Sequence, residues 1–308
     1  MSSFILRRLL AVIPTFFVVS LTVFLLIHLV PGDPIDSLMR AGSSPALREQ
    51  MAAKYGLDRS LFEQYIIWMG KVLTLDFGTS IIQGRPVAAL IAQNLPSSLT
   101  LGGTAFLFSS LAGIAAGVLA AKYYGTRIDS SITSGILLGS TIPSFWLALL
   151  LILVFAVWLG WVPVSGARGW SSLVLPVIAT GLGGVALVAR VTKVSMIEIG
   201  RQDFVTLLRA KGVSESRIRL QHILRHALVP VISILGLRIG WILGGAITVE
   251  VVFARPGLGS LLIRALNQRD YPLVQGCLLM LSMAVILGTI IGDIAHAAMD
   301  PRQREASK

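Results

Sequence analysis

Apolar residues occur in long runs along this chain, and the lengths of the runs predict its architecture. A helix needs about 20 apolar residues to cross the hydrocarbon layer of a membrane. Lipid admits only helices or closed barrels, because every backbone group must find its partner within the structure. The sequence therefore predicts six transmembrane helices, at approximately Leu9–Val30, Leu99–Ala121, Ile132–Leu159, Leu173–Ala189, Leu228–Phe253 and Leu273–Met299.

The first and fourth runs need separate interpretation. The run Leu9–Val30 follows two arginines, as in a signal peptide. It is longer than the roughly 7–15 apolar residues of such a peptide, and PGDP follows in place of a small-residue cleavage site. We interpret it as a retained helix. The fourth run is the weakest prediction, because it contains Pro176 and a cluster of glycines.

Lys and Arg residues are unevenly distributed between the two sides, and this predicts the orientation. With the N-terminus in the cytoplasm, the cytoplasmic segments hold 15 Lys and Arg residues, eight of them between Arg190 and Arg225. The short external segments hold four. The segment Pro31–Ser98 exceeds the roughly 60 residues within which the positive-inside rule operates. Both termini are thus predicted to be cytoplasmic.

These runs and connections divide the chain. Residues 1–30 contain the N-terminal end and the first helix, and residues 31–98 form an external region. Residues 99–301 form a core with five helices, including a cytoplasmic loop at 190–227, and residues 302–308 form a tail.

The composition agrees with a membrane protein and excludes several chemistries. Apolar residues make up 55% of the chain and charged residues 13%, whereas soluble domains are about 25% charged. A single cysteine, Cys277, excludes an internal disulfide and a multi-cysteine metal site. The motifs GxxxxGK[ST], HExxH and GxSxG do not occur. This favours a transport conduit over an enzyme, with no catalytic residue and no metal site.

Glycines recur four residues apart in three of the runs, as Gly113–Gly117, Gly236–Gly240–Gly244 and Gly288–Gly292. Such glycines lie along one helix face and let backbones approach closely. The pattern predicts close packing between helices. A smooth face along a translocation path is the alternative.

The basic stretch before the fifth run has a periodicity of its own. In DFVTLLRAKG, Phe204, Leu207 and Leu208 fall at i, i+3 and i+4, which predicts an amphipathic helix. Gly212 stands where the residue after a helix adopts left-handed geometry, and Ser214 can cap a second helix. This second helix has Glu215 in its first turn and an apolar stripe of Leu220, Ile223, Leu224 and Ala227.

Three interpretations of this helix, turn and helix remain open from the residues alone. A loop that only fixes topology needs the basic charge, but neither the apolar stripe nor the glycine. A basic amphipathic helix suits an anionic lipid surface. A short helix with anchors at i, i+3 and i+4 suits the groove of a soluble partner.

Six segments, in order along nearly the whole chain, resemble one family of membrane proteins. They are FILRRLLAVIPT, HLVPGDP, KYGLDRSLFEQYIIWMGKVLTLDFGTS, RAKGVSESRI, TVEVVFARPGLGSLL and RDYPLVQ. Together they are similar to the first permease subunit of ABC importers of the dipeptide, oligopeptide and nickel branch. RAKGVSESRIRLQHILRHALVP resembles the cytoplasmic loop of these permeases, whose signature is EAA, three residues, then Gly. Here the EAA triplet falls on Thr206, Leu207 and Leu208, so only Ala210-Lys211-Gly212 keeps the form.

The resemblance implies an all-α, type I importer permease fold in the bacterial inner membrane. It implies a second homologous permease, two cytoplasmic ATPases that hold ATP and Mg, and an external substrate-binding protein. No cofactor in this chain and no nucleic acid partner are expected. The solutes would be short peptides or, alternatively, glutathione, nickel chelates or opine-like compounds. The short helix of the loop would dock on the ATPase, with Arg209 and Lys211 as electrostatic guides, through Phe204, Thr206, Leu207, Leu208, Arg209, Ala210, Lys211 and Gly212.

Three residues are predicted to border the solute path: Arg238, Trp241 and Glu250. Arg238 lies within the fifth run, and an intramembrane charge is costly unless it faces the bundle interior or a wet cavity. Its alternative is to snorkel to the cytoplasmic edge. Glu250 lies near the external end of the same run, and Asp293 is similarly ambiguous at the inner end of the sixth.

The external region is predicted to be folded. It contains ALREQMAAKYG, which predicts a helix, and an aromatic run around Tyr65 and Trp68. By resemblance, this region and RPGLGSLLIRALNQRDY offer the surface on which a binding protein docks. His222 and His226 have zinc-like spacing without a nearby third ligand, which favours a polar or docking contact.

Two other classes compete with an importer subunit. An ion-driven secondary transporter predicts broken helices in matched halves and ionisable residues at the midplane. The chain has one such charge and no clear two-half repeat. A membrane-embedded structural or assembly protein would explain the glycines, but not the long basic loop.

Overall fold

The computed structural model describes residues 2–29, 58–167, 169–240 and 242–299. Over these ranges the chain is helical, apart from connections and one bridge between Thr79 and Pro86. The helices are α1 (Ser2–Leu29), α2 (Leu61–Leu73), α3 (Val87–Lys122), α4 (Arg127–Thr141), α5 (Ser144–Trp158), α6 (Ser171–Gly200), α7 (Asp203–Ala210), α8 (Glu215–Ile239), α9 (Ile247–Val252), α10 (Leu258–Asn267) and α11 (Tyr271–Met299). This architecture agrees with the predicted all-α class.

Four helices of the described ranges are long and apolar enough to cross a membrane: α3, α6, α8 and α11. Helices α4 and α5 form a fifth span if the bent pair crosses as one. The predicted spans Leu99–Ala121, Leu173–Ala189 and Leu273–Met299 lie inside α3, α6 and α11. The total of six spans and the side on which the termini lie stay predictions.

The predicted span Ile132–Leu159 is wrong as a single straight helix. Helix α4 ends at Thr141, and α5 starts at Ser144 at an angle of 103° to it. Ile142 between them has extended backbone, with φ −73° and ψ 126°. The ring of Pro143 disfavours helical backbone in the residue before it, which accounts for the bend.

The predicted span Leu228–Phe253 is wrong in its bounds. Its helix begins earlier, at Glu215, and ends at Ile239. An irregular segment with a 3-10 turn at Gly244–Ala246 separates it from α9. Three glycines lie between positions 240 and 245. Each lowers helix stability by about 1 kcal/mol relative to alanine, which favours a break there.

Helix α6 is continuous through Pro176 and the glycine cluster. Gly181 lies against Phe108 of α3, and Gly184 lies against the Arg238 guanidinium of α8. These glycines are therefore contact points for neighbouring helices and not breaks in the helix.

Helices α3 and α6 pack through the first predicted glycine face. A Cβ on Gly113 would lie 2.6 Å from Cβ of Val188. A Cβ on Gly117 would lie 2.5 Å from Cβ of Thr192. Real Cβ atoms do not approach this closely, so the contact requires glycine at both positions.

Helices α8 and α11 pack backbone to backbone through the other two glycine faces. A Cβ on Gly236 would lie 2.8 Å from the carbonyl oxygen of Gly292, and one on Gly288 would lie 2.6 Å from Cα of Gly240. Gly244 has open space around it. The prediction of close packing is therefore confirmed for the glycines of α3, α8 and α11 except Gly244.

Helix α2 packs on α1 through the predicted aromatic run. Ser60 and Glu63 form a capping box that starts the helix. The rings of Tyr65 and Trp68 lie 5.5 and 5.7 Å from that of Phe24, measured between centroids. This cluster anchors the described part of the predicted external region on α1. The predicted helix ALREQMAAKYG lies outside the described residues.

Candidate functional site

Helix α7 forms over the predicted amphipathic segment and ends in a glycine turn. Gly212 has φ +78°, which glycine adopts without the steric cost of a Cβ. The Val213 amide donates to the Leu208 carbonyl (3.2 Å), and the Gly212 amide donates to the Arg209 carbonyl (2.9 Å). These two bonds form the Schellman motif of helix termination. The predicted left-handed geometry of Gly212 is confirmed.

One face of α7 packs on the neighbouring helices. Val205 is fully buried, and Phe204 and Leu208 pack beside it in a cluster that includes Ile218 of α8. Leu207, by contrast, is 55% exposed. The prediction that Phe204, Leu207 and Leu208 share one apolar face is therefore wrong for Leu207. Val205 and Leu208, three residues apart, form the buried face instead.

The opposite face of α7 is open to solvent. Leu207 lies on it among basic and small residues, and the Gly212 turn fixes where the helix ends. An exposed leucine on a short, capped helix is the kind of anchor that helix-in-groove recognition uses. The predicted docking residues that are exposed are Thr206, Leu207, Arg209, Ala210, Lys211 and Gly212.

Arg209 has a partner across the glycine turn. Its Nε donates to Oε1 of Glu215 at 2.7 Å. This hydrogen bond holds the pKa of the Glu215 carboxyl below its usual value and raises the pKa of Arg209. Both side chains are about half-exposed, so water screens the pair and it adds little to stability. The pair connects α7 to the start of α8. It also partly neutralises the positive charge of Arg209, which was predicted to guide docking on the ATPase.

The start of α8 differs from the prediction at Ser214 and at Leu220. Ser214 is the N-cap residue, although its side chain makes no capping hydrogen bond. Ile223 and Ala227 are buried as predicted, whereas Leu220 is 58% exposed. The backbone has wide π turns over Ile218–Ile223. Because π-helical turns hold more residues than α-helical turns, Leu220 does not share a helix face with Ile223 and Ala227. The predicted apolar stripe is therefore wrong for Leu220.

His226 supports α7 through a ring contact. Its centroid lies 5.6 Å from that of Phe204 in a T-shaped arrangement. Within the described ranges, no three His, Cys, Asp or Glu residues come close enough together to hold a metal ion. The described contact of His226 is thus one of packing.

Arg238 faces a cavity between α3, α6 and α8. Its guanidinium lies against the backbone of Gly184, and Nη1 donates to Oγ of Ser109 at 3.4 Å. The side chain is therefore in the bundle interior, the first of its two predicted positions. The cavity has a volume of about 300 Å³ and is lined by small, polar and apolar residues, among them Gly102, Phe106, Ser109, Thr180, Arg238 and Ile242.

Glu250 does not line this cavity, and Trp241 lies outside the described residues. Glu250 is 1% exposed; Oε1 accepts from Oγ of Ser98 at 2.5 Å, and Oε2 accepts from the Ser260 amide at 3.0 Å. Oγ of Ser98 also accepts from the Leu258 amide at 2.8 Å. The carboxylate thus joins α3, α9 and α10, and this position gives no support to a path role for Glu250.

Replacing Glu250 with glutamine is expected to destabilise this junction. The amide has one oxygen, so it can satisfy only one of the two donors, Ser98 and Ser260. A buried donor without an acceptor costs about 1–3 kcal/mol. Thermal unfolding of the purified protein should show a lower midpoint for Glu250→Gln. Glu198→Gln, on an exposed position of α6, is the control and should match the wild type. An unchanged midpoint for Glu250→Gln would contradict the assigned junction.

Two further ion pairs join helices that are distant in sequence. Nη1 of Arg8 lies 3.1 Å from Oδ2 of Asp293. Nζ of Lys193 lies 2.5 Å from Oδ1 of Asp129, and the Gly125 amide donates to Oδ2 of the same carboxylate at 3.2 Å. The first pair gives Asp293 a partner on α1. No spacing pattern in the sequence identifies either pair.

The fold and these contacts define a class of protein. Long apolar helices pack through glycines, a short capped helix presents one exposed face, and an arginine faces an internal cavity. This is a multi-pass membrane transport subunit. The chain belongs to the family of binding-protein-dependent transport system inner membrane components, whose model matches residues 113–305. A second model, for the N-terminal part of such components, matches residues 1–102.

The family membership confirms the resemblance found in the sequence. Members are permease subunits of the inner membrane and not catalytic enzymes. They carry no cofactor, since the nucleotide binds the partner ATPase. The predicted location in the bacterial inner membrane is confirmed as well.

Similar proteins include permeases for a named solute. The glutathione transport system permease proteins GsiC of Escherichia coli and of Shigella dysenteriae are each 38% identical over 304 residues, which cover 99% of this chain and of theirs. Among solved structures, an inward-facing conformation of the MetNI methionine ABC transporter matches with a TM-score of 0.58 and 18% identity. The match covers 68% of this chain and 96% of that one. It shows a shared permease fold.

Proposed function

We propose that this chain is one of two homologous permease subunits in an ATP-driven importer of short peptides, the tripeptide glutathione among them. The complete machine would add two cytoplasmic ATPases and an external binding protein. The chain would cross the membrane six times, with both termini in the cytoplasm. Family membership and the relatives similar over nearly the full chain support this assignment.

The geometry of α7 carries the proposal. This helix lies in the loop where the family has its ATPase-docking segment. Its inner face is held by Val205 and Phe204, and its outer face presents Leu207. The Arg209–Glu215 pair then links it to α8. Closure of the ATPases on ATP would move α7, and the movement would pass directly to a membrane helix.

The solute class rests on the relatives and on the sequence resemblance. The similar permeases are named for glutathione, and the resemblance extends to permeases for dipeptides and oligopeptides. Glutathione and these peptides share an amide backbone and a free carboxylate. Nickel chelates and opine-like solutes are the alternatives, and the binding protein would select among them first.

Uptake by the reconstituted complex tests the proposal. Proteoliposomes with this chain, its partner permease, the ATPases and the binding protein should import radiolabelled glutathione or a dipeptide only with hydrolysable ATP. Liposomes with this chain alone should import neither, because the path is expected to form between two permeases. Uptake that follows an ion gradient without ATP would overturn the proposal in favour of a secondary transporter.

A further inference from the structure

We infer that the cavity beside Arg238 binds a carboxylate group of the transported solute. The inference rests on the proposed function, because it concerns what passes along the path of the importer. Two polar residues at this cavity support the inference: Arg238, which is charged, and Thr180, which is neutral.

Arg238 offers hydrogen-bond donors that the described chain leaves unused. A guanidinium has five N–H donors in a planar fork. One of them donates to Ser109 at 3.4 Å. Ser109 donates its own proton to the Phe106 carbonyl at 3.0 Å, so its oxygen acts as an acceptor and orients the guanidinium.

Arg238 also has no ion-pair partner among the described residues. In the part of the chain that the structure describes, the carboxylates in ion pairs are those of Asp129, Glu215 and Asp293, each with another cation. A charge within the membrane is costly unless it is paired or hydrated. The cavity therefore presents a cation that no described carboxylate neutralises.

Thr180 is the second, independent observation that indicates a ligand at this cavity. Thr180 lines the same cavity, and its hydroxyl oxygen is fully buried with no hydrogen-bond partner among the described residues. Threonines in helices commonly donate to the carbonyl four residues earlier, as Thr100 and Thr104 of α3 do. Thr180 makes no such bond. A carboxylate in the cavity would accept from the guanidinium fork, and rotation of the Thr180 side chain about χ1 would bring this hydroxyl within reach of it.

The size of the cavity agrees with one end of a peptide. Its volume of about 300 Å³ is at the lower limit of small-molecule sites, which are about 300–1,000 Å³. Gly184 provides the space in which the guanidinium lies, since a Cβ there would overlap it. The site therefore selects small solutes with a free carboxylate and disfavours cationic solutes by repulsion.

Charged thiol reagents can test the anion preference without any need for transport. The reporter is Thr180→Cys in the assembled transporter, with the native Cys277 changed to alanine. We would measure its reaction rates with a sulfonate-bearing and a trimethylammonium-bearing methanethiosulfonate. Relative to its rate with a free thiol in water, the sulfonate reagent should be favoured, and the ratio of the two normalised rates should fall at least about tenfold in Arg238→Gln and be largely kept in Arg238→Lys.

A second thiol controls for general effects of the membrane environment. Gly183→Cys lies on the same helix, at an exposed position with open space around it, and should show no anion preference. This comparison uses wild-type Arg238, so it remains informative if Arg238→Gln fails to assemble. Trialanine and S-methylglutathione should slow the reaction at position 180, and their C-terminal amides should do so less.

Two results would overturn the inference. One is an equal ratio of reagent rates at positions 180 and 183, or a ratio unaffected by Arg238→Gln. The other is a thiol at position 180 that reacts with neither reagent in any nucleotide state, since a solute could then not reach it either. Failure of ATP-driven uptake, by contrast, would contradict the proposed function and leave this rate ratio unchanged.

Discussion

A transporter that carries Leu207→Asp is expected to lose ATP-driven uptake by at least about tenfold, because a leucine buried in a partner groove contributes about 1.5–3 kcal/mol. The aspartate would also place an unpaired charge in that groove. Leu207 is 55% exposed and lies on the face of α7 opposite to Val205. The substitution should therefore leave the fold of this chain intact. Uptake and co-purification of the ATPases should fall together.

Leu220→Asp is the matched control for this experiment. Leu220 lies in the same basic stretch, is 58% exposed, and belongs to α8 outside the proposed docking segment. The same substitution there should leave uptake near that of the wild type. If Leu207→Asp assembles with the ATPases and transports normally, α7 does not dock through this face.

Replacing Gly292 with alanine is expected to separate α8 from α11. A Cβ at this position would overlap the carbonyl oxygen of Gly236, which is backbone and cannot rotate away. Overpacking of this kind costs about 1–3 kcal/mol. The thermal midpoint of the purified complex should fall, and the yield of assembled complex should fall with it.

Gly135→Ala is the control for the intrinsic preference of alanine for helices. Gly135 is also helical, and a Cβ there would meet nothing within 4 Å. Alanine at an open helical position favours folding by up to about 1 kcal/mol. The two identical substitutions should thus change the midpoint in opposite directions. A stabilised Gly292→Ala variant would show that α8 and α11 are not in backbone contact.

Local signals explain which structural predictions succeeded. The turn at Gly212 depends on neighbouring residues alone, because its hydrogen bonds return to Leu208 and Arg209. The glycine faces of α3, α8 and α11 were likewise visible as a spacing of four. Pro143 is itself a local signal for a bend. The apolar run Ile132–Leu159 is long enough for one membrane span, however, so it was interpreted as one helix.

Other features depend on partners far along the chain. Glu250 looked like a path residue because it is a charge near a helix end, yet one of its partners is Ser98, 152 residues earlier. Leu207 and Val205 both fit a helical period, and only the position of α6 and α8 decides which is buried. No sequence pattern predicts that the Thr180 hydroxyl has no hydrogen-bond partner among the described residues, because this depends on which groups the fold places around it.

The length of α8 has a mechanical consequence. This helix runs for 25 residues, from Glu215 beside α7 to Ile239 beside the Arg238 cavity. At 1.5 Å per residue, about 35 Å separate Glu215 from Arg238. Gly236 and Gly240 rest on α11 immediately on either side of Arg238. If docking moves the basic end of α8 as proposed, these contacts with α11 would hold the other end in place, so the displacement at Arg238 would be smaller than the displacement at Glu215.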